Sequence, residues 1–262
     1  MVKCVLTIAG SDSSSGAGIQ ADLKTFFAFG VYGMSVITSV TAQNSLRVNG
    51  LVNLSQEFIG LQIESILSDF KIQGIKTGML YNRETVLTVA NKINENNIPI
   101  IVVDPVMKAK GGETLLKENS IGMLKRKLIP LSTLITPNVP EAEILSQMVI
   151  ENTDDAKKAS EKIYGLGCKS VLITGGHLPG EPVDVLFDGE EFTLFRGKRV
   201  DSLNTHGTGC TFSAAITANM VKGKSLQESI HISKEFLYKA IKESFNLGKG
   251  HGPLNHFVNL NM

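Results

Sequence analysis

An α/β fold is predicted for this chain, a mostly parallel sheet with helices packed on both of its faces, and three observations predict it. Short β-branched runs alternate with longer segments of helical periodicity. Capping residues divide the helical segments cleanly. The 262 residues, 42% hydrophobic and 19% charged, are enough to bury a large core in one domain spanning 1–262.

In chain order, strands are predicted over residues 3–9, 35–41, 74–77, 100–103, 134–136 and 170–174. Residues 183–187 and 191–195, joined around Asp188 and Gly189, read as an antiparallel hairpin appended to the sheet. Between the strands, Phe58, Ile59, Ile63, Ile66, Leu67 and Phe70 recur at helical spacing, as do Val86, Val89, Ala90 and Ile93. Both stripes are expected to face the core. Pro140 suits a first helical turn, Gly30 and Gly223 suit C-terminal caps, and Ser225 with Glu228 forms a capping-box pattern. Because crossovers between parallel strands are right-handed, the loops after the strand ends should share one edge of the sheet, where ligands bind in such folds.

Composition narrows the partners. Lysine and arginine number 26 against 25 acids, a net charge of +1, which gives no electrostatic reason to expect nucleic acid or an anionic membrane. The N-terminal apolar stretch runs into Ser11 and Asp12 without the long apolar region of a signal peptide. No apolar run approaches the roughly 20 residues needed to span a bilayer. Cys4, Cys168 and Cys210 are scattered and odd in number, which fits a reducing, cytoplasmic compartment rather than a disulfide framework.

The strongest motif is the turn from Asn204 to Cys210, with Gly207, Thr208 and Gly209 leading into a small-residue helix. Glycines let the backbone approach a ligand, and the amides opening a helix present partial positive charge, so this turn is a cradle for a transferring phosphoryl group. Cys210, in the first helical turn, is expected to have its thiolate favoured by the helix dipole and to accept a proton from a substrate hydroxyl. The polar, glycine-rich segment 10–18 leaves the first strand and reads as a lid over a small substrate or as a simple strand-to-helix loop. It has neither the Lys ending of a P-loop nor a full dinucleotide fingerprint. Asp104, after the strand at 100–103, and Glu141, after the strand at 134–136, are carboxylates placed to hold magnesium against triphosphate charge. Gln43 stands just past a strand, where its amide offers donors and an acceptor suited to an aminopyrimidine edge. The five histidines show no metal-ligand spacing and read as surface, turn or packing residues.

Taken together, the segments CVLTIAGSDSSSGAGIQADLKTF, VYGMSVITSVTAQN, KTGML, VVDPVM, LITPNVPEAE, ITGGH, NTHGTGCTFSAAI and GHGPLNHF resemble the hydroxymethylpyrimidine/phosphomethylpyrimidine kinases of thiamine synthesis, in the ribokinase-like superfamily. The resemblance runs almost end to end. It implies a three-layer α/β/α sandwich, a homodimer, and two successive ATP-dependent phosphorylations, of hydroxymethylpyrimidine and then of its monophosphate. Matching positions imply that Gln43 binds the pyrimidine edge, with Gly10, Asp12, Ala17, Met79 and Val106 around the ring. They also imply that Gly207, Thr208 and Gly209 form the anion hole and that Cys210 is the base, where many ribokinase-like enzymes carry aspartate. Asn138 and Glu141 match an Asn-x-x-Glu magnesium motif, and Thr174 and Gly176 fall in the ATP-side segment. Ser14 and Ser15 stand where glycines are usual, and Thr174 where many members have lysine. Thr77 and the ITGG segment also occur in a related pyridoxal kinase branch, the alternative reading; a non-catalytic precursor-binding protein is a third.

Overall fold

The computed structural model describes residues 2–109 and 111–258. The chain runs β1 (Cys4–Asp12), α1 (Gly18–Ala28), β2 (Tyr32–Gln43), β3 (Val48–Asn53), α2 (Gln56–Leu67), β4 (Gly74–Thr77), α3 (Arg83–Glu95) and β5 (Ile100–Val103). It continues through α4 (Glu118–Met123), β6 (Leu134–Ile135), α5 (Val139–Ser146), α6 (Thr153–Tyr164), β7 (Val171–Ile173), β8 (Val183–Phe187), β9 (Phe192–Arg196), α7 (Thr208–Val221) and α8 (Leu226–Lys242). The strands form one sheet in the order β3-β2-β1-β4-β5-β6-β7-β8-β9. Its six central strands are parallel, while β3 at one edge and β8 and β9 at the other are antiparallel to their neighbours.

Successive residues of each central strand enter opposite cores, as the period of two requires. Leu6, Ile8, Ile75, Val103, Ile135 and Val171 pack with residues of α2, α3, α5 and α6. Val5, Val102, Leu134 and Leu172 pack with residues of α1, α7 and α8 on the other face. These helices on either side of the sheet make the three layers that the sequence pattern and the resemblance imply.

Several local expectations hold. Gly30 and Gly223 follow helices with φ of +68° and +90°, the left-handed conformation a C-terminal cap needs. Ser225 and Glu228 form both bonds of a capping box, and Pro140 lies in the first turn of α5. Others are corrected. The predicted stripe is not all core: Phe58 is 52% exposed, because the buried face of α2 is Ile59, Gly60 and Ile63, and Phe70, 41% exposed, lies beyond the end of that helix. The edge strand β3 was not foreseen, since its Asn and Gly read as turn and only one of its faces meets other chain. The first strand extends through Asp12, and Gln43 is the last residue of β2 rather than lying beyond it.

The strand order has one topological switch. From β1 the chain moves outward to β2 and β3, then returns to β4 on the other side of β1 and proceeds outward again. Loops diverge at such a point and leave a crevice outside the carboxyl ends of the strands.

Candidate active site

That crevice is a cavity of about 640 Å³, and every site residue singled out from the sequence lines it. At its centre is the start of α7. Gly207 has φ +82°, and a Cβ there would meet the Gly16 carbonyl oxygen at 1.8 Å. Only glycine fits, and the close approach seats the 12–17 loop on the turn. Thr208 Oγ1 donates to the Thr205 carbonyl at 2.7 Å. The helix geometry leaves the amides of its first turn without intrahelical partners, an arrangement that favours negative charge beside it.

Beneath this turn is a buried charge cluster. Lys76 and Asp22 are wholly buried, with the Lys76 ammonium 3.0 Å from both Asp22 oxygens and 3.7 Å from Asp104 Oδ2. Thr7 Oγ1 donates to Asp22 Oδ2 at 2.6 Å, and Ser213 Oγ to Asp104 Oδ2 at 3.1 Å. Burial alone would lower the ammonium's pKa, but Asp22, Cys210 and Asp104 together hold it above the ordinary lysine value. Burial raises Asp22 despite Lys76, and likewise raises Asp104.

Cys210 departs from the expected thiolate. Burial pushes its thiol up to about 12, with Asp104 and Asp22 adding to the rise and Lys76 and the Gly18 amide opposing it. Burial and the two carboxyls thus favour the thiol, and Lys76 is the cation placed to favour the thiolate that a base must be.

Asn138 and Glu141 start α5 as a reciprocal capping box: the Glu141 amide donates to Asn138 Oδ1, and the Asn138 amide to Glu141 Oε2, each at 3.0 Å. The Met107 amide donates to Glu141 Oε1 at 3.3 Å. Burial, with the charge of Asp104, pushes the Glu141 carboxyl up to about 8. Two carboxyls that resist ionising together mark a place short of positive charge. Among the described residues no group of three or more His, Cys, Asp or Glu could hold a metal by itself. The donor set suits magnesium, which binds through one or two carboxylates and completes its shell with water and phosphate oxygens.

Around the other end of the cavity, Asp12 organises the glycine-rich loop. Its Oδ1 accepts from the amide and hydroxyl of Ser14 at 2.8 and 2.7 Å, and its Oδ2 from the amides of Gly16 and Ala17 at 3.1 and 2.9 Å. His206 Nε2 is 2.8 Å from the same Oδ2. Burial opposes ionisation, but His206, Ser14 and the Ala17 amide together hold the carboxyl down at about 2. Ser14 thus supplies a hydroxyl bond that a glycine could not, while Ser15 adopts φ +66°, the conformation in which glycine would be unstrained. Gln43, Thr41, Met79 and Val106 complete this wall.

On the remaining side, Thr174 bridges to Asn138, and the Gly175 amide donates to Asp184 Oδ1 at 3.0 Å. Lys234 of α8 pairs with Asp184. Arg199 pins the 176–180 loop by donating to the carbonyls of Gly176, Leu178 and Gly180 at 3.2, 2.7 and 2.7 Å.

The family model for phosphomethylpyrimidine kinase matches residues 12–255. The chain belongs to the phosphomethylpyrimidine kinase family. Among its relatives, the hydroxymethylpyrimidine/phosphomethylpyrimidine kinase of Bacillus subtilis is 48% identical over 97% of this chain and 94% of that protein. Two solved structures are similar throughout. Bacillus subtilis pyridoxal kinase in complex with ADP has a TM-score of 0.91 at 41% identity, covering 98% of each chain. The phosphomethylpyrimidine kinase of Clostridium difficile has a TM-score of 0.82 at 44% identity, covering 92% of this chain and all of that one. Ribokinase-like vitamin kinases are thus this family's structural neighbours, and the chain is an enzyme of the kinase class.

Three groups at this kinase site were not found from the sequence. Lys76 carried a signal, a lysine between apolar residues in a strand buried on both faces. Its partner Asp22 lies 54 residues away and reads as an ordinary helical acid. His206, grouped with the packing histidines, is only 8% exposed and lines the cavity.

Proposed function

We propose that this protein transfers the γ-phosphoryl group of ATP to the hydroxymethyl group of 4-amino-5-hydroxymethyl-2-methylpyrimidine, and then phosphorylates the monophosphate to the pyrophosphate. The observation that carries this reading is one cavity lined by the glycine turn with Cys210, by the Asp104 and Glu141 carboxylates, and by Gln43. Across it, a phosphoryl group and a flat amino-heterocycle can meet.

In this mechanism the hydroxymethyl oxygen attacks the γ-phosphorus in line as the bond from that phosphorus to the bridging oxygen breaks and ADP leaves. Its proton passes to the Cys210 thiolate, the form that Lys76 favours. The amides of 208–210 take the charge that develops on the phosphoryl oxygens. Asp104 and Glu141 are the residues that would hold magnesium, which when bound would neutralise charge on the phosphates. Gly10, Ala17, Met79 and Val106 enclose the ring, and Asn138, Thr174 and Gly176 border the nucleotide. The protein acts as a cytoplasmic homodimer: its free cysteines support a reducing compartment, and exposed Tyr32, Val52 and Phe58, on β2, β3 and α2, support a subunit contact.

ADP release is measured with magnesium-ATP and, in turn, hydroxymethylpyrimidine, its monophosphate and pyridoxal at equal concentration. Preference for the two pyrimidines is expected. Preference for pyridoxal would move the protein to the vitamin B6 branch, and no ADP with any of them would leave a binding role.

A further inference from the structure

Gln43 Nε2 lies 3.3 Å from His206 Nε2, and this contact is chemically inconsistent as it stands. Asp12 accepts from three backbone amides and a hydroxyl, which only an ionised carboxylate does well. His206 Nε2, 2.8 Å from Asp12 Oδ2, must then carry a proton and donate it. A donor nitrogen of Gln43 would face a second donor.

The opposite end of the amide has a matching conflict. Thr41 Oγ1 is 3.0 Å from the Ser11 carbonyl and 3.2 Å from Gln43 Oε1, so its single proton would have to serve two acceptors. Amide oxygen and nitrogen occupy nearly equivalent positions and are assigned from their partners. Turning the Gln43 amide by 180° removes the contact between two donors and frees the Thr41 proton. Oxygen then takes the weaker share, at 3.3 Å, of the His206 Nε2–H whose main acceptor is Asp12 Oδ2 at 2.8 Å, and nitrogen donates to Thr41 Oγ1, whose own proton goes to Ser11.

We infer that His206 is a specificity-determining positioning residue: held by Asp12 with its Nε2 protonated, it fixes the Gln43 amide with oxygen on the His206 side and nitrogen on the Thr41 side. The ring of His206 has little freedom to do otherwise, since a Cβ on Gly16 would lie 2.2 Å from its Cδ2. Gln43 is left with one oxygen lone pair and one N–H for a ligand. These match a ring carrying an exocyclic amino group beside a ring nitrogen, in one orientation only: amino group toward His206, ring nitrogen toward Thr41. Reversing the amide would reverse the edge that is read. The inference rests on the reading of Gln43 as the ring-binding residue, and it gives the substrate a direction in the cavity.

The test has two parts. The first uses the whole wild-type protein without substrate: ¹⁵N spectra of the histidine side chains should show His206 protonated at Nε2. A bare Nε2 would overturn the inference whatever the enzyme's substrate proves to be. The second compares KM for hydroxymethylpyrimidine with KM for its analogue lacking the 4-amino group, in wild type, His206→Phe and His206→Gln. Glutamine can place a side-chain N–H near the position of Nε2. One hydrogen bond of orientation corresponds to about a tenfold effect. Discrimination for the amino group should fall by about tenfold in His206→Phe, with kcat for the analogue changed far less, and should be kept largely intact in His206→Gln. Equal discrimination in all three proteins would overturn the inference, as would equal loss in both variants. If wild type turns over neither pyrimidine, the proposed substrate fails while the spectra still decide the state of His206.

Discussion

Replacing Lys76 by methionine removes the cation from a cluster that the structure closes off from water. Methionine has a similar reach and packs well, so lost volume is a minor effect. What remains is Asp22, 0% exposed, and Asp104, 5% exposed, with their shared ammonium gone from 3.0 and 3.7 Å. Breaking one side of a buried ion pair costs about 3–5 kcal/mol, a large fraction of the roughly 5–15 kcal/mol that holds a domain folded. The cost depends on pH. A carboxyl whose folded pKa is raised binds protons more readily when folded than when unfolded, so stability falls as pH rises from the unfolded value through the folded one. Asp22 is already raised by burial, and losing Lys76 raises it further. The variant should therefore be penalised less at pH 5 than at pH 8. Urea unfolding at the two pH values measures this, with an unchanged slope showing that the same surface is exposed. A Lys76→Met/Asp22→Asn double variant should recover much of the loss at pH 8, because it removes the stranded charge as well. The reasoning is refuted if Lys76→Met lies within about 1 kcal/mol of wild type at pH 8, well below the cost of stranding a buried charge, or if its cost is the same at both pH values.

Three further outcomes are expected. Cys210→Ala should lower kcat by about 10²–10⁴-fold, the range for a lost general base, with the unfolding midpoint little changed; full turnover would remove Cys210 from the mechanism. Glu141→Gln should flatten the pH dependence of stability. The wild-type carboxyl, raised from 4.5 to about 8, makes the folded state bind the proton more tightly, so wild-type stability should decline between those values, and thermal unfolding from pH 5 to 8.5 follows it. An equal decline in the variant would contradict the assignment of that carboxyl. Gly207→Ala combines a φ of +82° with a Cβ 1.8 Å from the Gly16 oxygen, so both melting temperature and turnover should fall sharply, and a variant with wild-type turnover would show that the turn is not fixed.

Local chemistry was legible in the sequence, and partnerships across the sheet were not. The capping box at Ser225, the first-turn Pro140 and the glycine turn that leads into α7 are specified within a few residues of themselves, and they form as read. Strands β4, β5 and β8 match their predicted ends because their apolar runs are bounded by turn residues. By contrast, Val48–Asn53 becomes a strand through pairing with β2, and its own propensity gave no sign of it. Phe58 and Phe70 fit a helical stripe, yet periodicity tells neither which edge of the stripe reaches the core nor that the helix stops at Leu67, before Phe70. The Asp12–His206 pair spans 194 residues, and only the return of the chain to the switch point brings them together. The same distance in sequence hid the environment of Cys210. A helix start favours a thiolate in isolation, and burial among Asp22 and Asp104 outweighs it.

The measurement that reaches the central claim most directly is ³¹P NMR of a complete reaction containing protein, magnesium-ATP in excess and hydroxymethylpyrimidine. The account predicts a pyrimidine monophosphate that rises and then gives way to the pyrophosphate, with two ADP formed per pyrimidine consumed. ADP formed without any phosphorylated pyrimidine would contradict it, as would a reaction that proceeds only when pyridoxal replaces the pyrimidine.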